Sequence, residues 1–116
     1  MPIEKAKKHY LGKDGFEKMN CAQAIIKAFQ GNYAIGEDEI KKYMAHGGGR
    51  APDGVCGAVY AARELLIKHH PEKIKEFDQF IIGLAGSDKC LEIRKLRKLS
   101  CLGCIERSAE FLAKLE

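Results

Sequence analysis

Apolar residues recur at helical spacing along nearly the whole chain, and no stretch alternates apolar with polar residues at the period of a strand. Cys21, Ile25, Ala28 and Phe29 form one stripe, and Val55, Val59, Ala62 and Leu66 form another. Ile74, Phe77, Ile81 and Leu84 make a third; Leu102, Ile105, Ala109 and Leu112 make a fourth. Shorter patterns sit at Ile3, Ala6 and Tyr10 and at Ile40, Tyr43 and Met44, the second flanked by the acid-before-base pairs Glu37 with Lys41 and Asp38 with Lys42. Glycine and proline punctuate these segments at 12–15, 31–36, 47–54, before Pro71 and at 83–87. The spacing predicts an all-α fold, a single small domain over residues 1–116 built from five to seven short helices. A chain of 116 residues buries enough surface to close a core without metal or disulfide staples, so any metal would serve chemistry. The segment from Asp88 to Ser100 reads as a separate helix or as the front half of the last one.

No apolar run reaches the length of a membrane helix, and the first ten residues carry Lys5, Lys7 and Lys8 without the apolar stretch of a signal peptide. The expectation is a cytoplasmic protein with no membrane insertion. A net charge of +4 falls short of the concentrated basic face of a nucleic-acid binder. The cluster Arg94, Lys95, Arg97 and Lys98 reads as a solvated face that could also dock an acidic redox partner.

Five cysteines stand out: Cys21, Cys56, Cys90, Cys101 and Cys104. In a reducing compartment such a set points to metal binding or redox chemistry rather than a disulfide framework. Helix-start signals accompany each of them. Asn20 with Gln23 has the form of a capping box and places Cys21 at the first helical position. Asp53 in the same role places Cys56 in the first turn of the next long helix. Ser87 or Asp88 does so for Cys90, and Ser100 for Cys101, with Cys104 one turn later. A helix N-terminus offers unpaired N–H groups and a partial positive charge, which favours a thiolate or an anionic cluster. In one straight helix Cys90 and Cys101 would lie about 16 Å apart along the axis. Either that helix breaks before Cys101 or Cys90 stays outside a shared site.

Several familiar motifs fail. The thioredoxin C-x-x-C follows a strand, and this chain shows none. Position 105 is Ile, not the His of a haem-attachment motif, and one C-x-x-C pair is too few for a zinc ribbon. Gly47, Gly48 and Gly49 lack the ending of a phosphate-binding loop and suit close backbone approach of the Cys56 helix to another element or a cluster. His69 and His70 before Pro71 fit a helix end, where the dipole favours a cation. His46 could serve as a substitute ligand. Gly57, Ala58, Ala61 and Ala62 give a small face for tight helix packing.

The cysteine pattern resembles a redox-active family named C_GCAxxG_C_C after its cysteines. Asn20-Cys21-Ala22-Gln23-Ala24-Ile25 is similar to its first cysteine segment, Gly47-Gly48-Gly49 to its glycine-rich approach, and Cys56-Gly57-Ala58-Val59-Tyr60-Ala61 to its C-G-A-x-x-G core. Gly86-Ser87-Asp88-Lys89-Cys90 and Cys104-Ile105-Glu106-Arg107-Ser108-Ala109 are similar to the third and last segments, so the resemblance runs through almost the whole chain. Ala61 stands in place of the motif glycine, Val55 precedes Cys56 where the family name has glycine, and Cys101 is additional. The resemblance implies a small helical protein whose working thiols are Cys21, Cys56, Cys90 and Cys104. A related domain accompanies an iron-sulfur centre in split-Soret cytochromes, which implies a two-iron, two-sulfur cluster on those four residues, with Cys101 as a substitute ligand. The expected role is an electron carrier or sensor rather than a substrate-turning enzyme, serving a redox partner protein, with self-association as a homodimer left open. A metal-free thiol-disulfide protein cycling Cys101 with Cys104, or Cys56 with Cys90, is the alternative, and a zinc-thiolate module is a third.

Overall fold

The computed structural model describes residues 2–46 and 51–115. Eight α-helices account for most of them: α1 (Pro2–Leu11), α2 (Cys21–Ala28), α3 (Gln30–Tyr33), α4 (Glu37–Lys42), α5 (Gly57–His69), α6 (Ile74–Ala85), α7 (Cys90–Leu96) and α8 (Cys101–Ala113). The fold is all-α, as the apolar spacing predicts. The count passes the expected five to seven by the four-residue α3, and 3-10 turns at Tyr43–His46, Pro52–Gly54 and Pro71–Lys73 lie between the helices besides. Among the described residues the only β-type pairing is an isolated antiparallel bridge between Val55 and Lys89. No helix among them is long and apolar enough to cross a membrane.

Helix α2 packs centrally against α5, α8 lies against both, and α1 covers the α2–α8 side. The stripes supply the core at these contacts. Ile25, Ile26 and Phe29 meet Val59, Ala62 and Leu66 and the Ile105–Leu112 face of α8, all essentially inaccessible to water. Ala58, Ala61 and Ala62 are fully buried, so the small face does what its composition suggests and lets α5 approach its neighbours closely. Helix α6 adds Phe77 and Ile81, with Phe77 packed edge-on against Phe111 at 5.2 Å. Leu84 departs from its expected stripe: it is exposed, and Ala85 takes the inward position one residue later. Lys7 of α1 bonds Glu106 of α8 at 3.0 Å. Glu37 bonds Lys27 of α2 at 2.9 Å, so its closest cation is a tertiary one rather than the expected Lys41.

Two left-handed residues turn the chain where the site needs it. Gly86 (φ +86°) ends α6, and a Cβ there would sit 2.7 Å from Leu96. Arg97 (φ +55°) ends α7 and separates it from α8, so the segment from Asp88 to Ser100 holds a helix of its own and the chain breaks before Cys101. His70 caps the end of α5 ahead of Pro71, and His69 stacks on Tyr33 at 4.4 Å, in keeping with the structural role expected for this pair. The Gly47–Gly49 reading lies outside the described residues, as does the side chain of His46.

Candidate functional site: a buried thiol cluster at four helix starts

All five cysteines lie at helix starts. Cys21, Cys90 and Cys101 are the first residues of α2, α7 and α8, Cys56 is the residue that caps α5, and Cys104 lies one turn into α8. The local reason is clear for two of these starts. Asn20 accepts from the Gln23 backbone N–H at 2.8 Å, while the Gln23 side chain accepts from the Asn20 N–H at 3.4 Å, completing the capping box. The Asn20 amide also donates to the Tyr43 and Met44 carbonyls at 3.1 and 2.9 Å, which ties the start of α2 to the turn after α4. Ser100 accepts from the Gly103 N–H at 2.9 Å and starts α8.

The other two starts are held differently. Asp53 does not cap α5: it sits in a 3-10 turn at φ +62°, and Cys56 itself occupies the cap position without a side-chain capping bond. Neither Ser87 nor Asp88 caps α7. Lys89 holds that position, Ser87 Oγ accepts from the Lys89 N–H at 3.0 Å, and Asp88 is drawn away to Arg63. In place of caps, the two strands of chain leading into α5 and α7 buckle together. The Cys56 N–H donates to the Asp88 carbonyl at 2.8 Å across the Val55–Lys89 bridge, and Lys89 Nζ donates to the Asp53 carbonyl at 2.9 Å. Arg63 locks the arrangement from α5, bonding Asp78 at 2.7 Å and Asp88 at 2.8 Å.

These supports bring the thiols together. Cys21, Cys56, Cys90 and Cys104 are buried, Cys101 is half-buried, and no disulfide joins any of them. The Cys56 thiol lies within hydrogen-bonding reach of both Cys104 and Cys21. Contact with Cys104 pushes the Cys56 thiol up to about 12, while Cys21 and the Val59 backbone N–H work against that rise. The same contact, with Cys56 as donor, holds Cys104 below the ordinary thiol range. Burial pushes Cys90 up, and the cation of Arg94 one turn along α7 pulls it back. Cys90 also lies close enough to feel the charges of Cys101 and Cys21. The Arg94 guanidinium and the Tyr10 hydroxyl both reach the Cys101 sulfur.

All five cysteine positions read from the sequence therefore fall in one neighbourhood. Arg63, Arg94 and Tyr10 join it without being expected there from the sequence. Arg94 carries a legible signal, since it stands four residues after Cys90 and shares its helix face. Tyr10 and Arg63 reach the site from distant segments, and nothing local marks them.

Among the described residues no three His, Cys, Asp or Glu side chains gather around one point as a single metal ion requires. The interactions among the thiols run through Cys56, to Cys104 and to Cys21, and Cys90 joins them through charge alone. The donor set, soft thiols at helix starts rich in N–H groups, fits a two-iron, two-sulfur cluster chemically. No family model, curated protein or solved structure matches the chain.

Proposed function

We propose that this protein is a redox module in which Cys21, Cys56, Cys90 and Cys104 hold a two-iron, two-sulfur cluster and exchange electrons with a partner protein in the reducing cytoplasm. The single observation that carries the reading is the convergence of these thiols from separate helix starts, two held by caps and two by the Arg63 buckle. The resemblance of the cysteine pattern to the C_GCAxxG_C_C family supports the same ligand set. When bound, such a cluster supplies one-electron transfer at a potential set by its surroundings. The chain's own residues set those surroundings. The Val59 N–H in the first turn of α5 bonds the Cys56 thiol, burial excludes water from Cys56 and Cys104, and Arg94 places a positive charge beside Cys90 and Cys101. Cys104 is the final ligand in this assignment because it is fully buried and touches Cys56, whereas Cys101 is half-buried at the rim.

A second reading has its own support. Cys56 and Cys104 are in contact with their ionisation split in opposite directions, the arrangement of a thiol pair that loses two electrons and two protons to form a disulfide, with an external disulfide as the oxidant.

Anaerobic purification followed by visible spectroscopy and analysis for iron, acid-labile sulfide and zinc separates these readings. The cluster reading predicts brown protein containing iron and sulfide, and Cys104→Ser losing more of both than Cys101→Ser after identical reconstitution. Colourless protein with a titratable disulfide supports the second reading. Colourless protein with bound zinc overturns both.

A further inference from the structure

Cys101 lies outside the four-thiol set and opens onto solvent through a groove of about 290 Å³ lined by Arg94, Arg97, Leu99, Ser100 and Cys101. Two guanidinium groups and one thiol thus share a concavity at the lower end of the size range of small-molecule sites. The basic residues on this segment divide between two roles. Arg94 and Arg97 line the groove, while Lys95 and Lys98 do not. Their division argues against a uniformly solvated basic face and for a pocket that faces one anion. Arg94 lines the groove beside Cys101 and interacts with its thiol, and Tyr10 of α1 is a second neighbour of the same thiol. Arginine presents a planar fork that matches a carboxylate in two parallel bonds, so a carboxylate is an anion this pair can hold.

We propose that this groove binds a small disulfide bearing carboxylates and that Cys101 exchanges with it. The Cys101 thiolate attacks one sulfur of the ligand, a new sulfur–sulfur bond forms to Cys101, and the original one breaks. Cys101 is oxidised to the mixed disulfide, the departing half is reduced to a thiolate, and that thiolate takes a proton from solvent. Arg94 and Arg97 hold the carboxylates of the half that stays. The proposal rests on the redox-thiol reading of the centre and requires no bound metal, so iron content and exchange at Cys101 are separate readouts.

The test uses the anaerobically purified protein with two probes of opposite charge, glutathione disulfide and cystamine. The rate of mixed-disulfide formation is followed by intact mass, and the modified residue is located by peptide mapping. The expected result is an adduct on Cys101 with glutathione disulfide favoured by roughly tenfold at low ionic strength, the scale of modest electrostatic steering. Raising the salt should shrink that preference. Arg94→Gln with Arg97→Gln, at exposed positions that leave the core untouched, should bring the two rates together, and Cys101→Ser should abolish the adduct. Equal rates for the two probes with the unmodified chain, a preference unmoved by the arginine substitutions, or an adduct mapping to a different cysteine would overturn the proposal. Anionic preference with no iron in the protein would support the exchange site while defeating the cluster reading.

Discussion

The starts of α2 and α8 and the starts of α5 and α7 deliver cysteines to the same place by opposite means. Asn20 and Ser100 are caps: each satisfies N–H groups within three residues of itself, so the helix begins where the local sequence says it must. Cys56 and Lys89 have no such partner. Their helices begin where a long-range bridge, a backbone bond from Cys56 to Asp88, and the two ion pairs of Arg63 fix the chain. The difference teaches that half of this site is encoded locally and half by tertiary structure. The locally encoded half should survive damage to the other, and the buckle should not survive loss of its arginine.

The largest effect is expected at Cys56, where the two halves meet. Its thiol interacts with Cys104, from a capped helix, and Cys21, from the other capped helix. Cys56→Ser should reduce iron and sulfide per chain to background after reconstitution, and retention near the unmodified level would break the comparison at its centre. The same residue has a consequence for pH in the metal-free protein. Its thiol titrates at about 12 when folded against an ordinary value of 9.0. Between those values the unfolded chain has released this proton and the folded chain has kept it, so stability falls as pH rises from 9 toward 12. Denaturation curves collected across that range should fall more steeply for the unmodified protein than for Cys56→Ala, and parallel curves would contradict the assignment.

Next in size is Arg63. Replacing it with Met keeps much of its apolar stem but leaves Asp88 and Asp78 without their cation, and charge-assisted bonds of this kind put the cost at about 2–3 kcal/mol in urea unfolding. The sharper expectation concerns location. Hydrogen exchange should rise at Cys56 and through the first turn of α7 while the start of α2 stays protected. Uniform loosening would mean that the two halves are not independent.

The caps are smaller. Asn20→Ala removes the capping box and two bonds to the turn after α4, for an expected loss of about 1–2 kcal/mol. Ser100→Ala removes a single exposed capping bond, for about 0.5–1 kcal/mol. Thermal or chemical unfolding of both variants checks the order, and a larger loss for Ser100→Ala would reverse it.

The same division explains what the sequence could say. The helical class and the caps at Asn20 and Ser100 are legible because each depends on residues within one or two turns of itself, whereas the break before Cys101, which the sequence leaves open, rests on the left-handed Arg97. Asp53 and Ser87 or Asp88 resemble caps equally well as letters, but in the folded chain Asp88 is drawn to Arg63, twenty-five positions away, and Asp53 sits in a left-handed turn. No local pattern carries that information. Leu84 and Ala85 flank the same stripe, and at regular helical spacing Ala85 falls nearer the centre of the Phe77–Ile81 face, so it takes the inward position and Leu84 is exposed. Of the site, the cysteine positions were readable and their partners mostly were not. Arg94 could be reached from Cys90 by helical spacing, but Tyr10 comes from α1 and depends on how α1 packs against α8.

The central claim is that thiols from separately held helix starts form one centre, and bridging the thiols tests it most directly. Metal-free, reduced protein is treated with a short bifunctional thiol reagent under native conditions, digested, and mapped for linked peptides. The account predicts links from Cys56 to Cys104 and from Cys56 to Cys21, with the Cys104 link persisting in Ser100→Ala and both weakened in Arg63→Met. Single-ended adducts on the five cysteines with no link between them would contradict it.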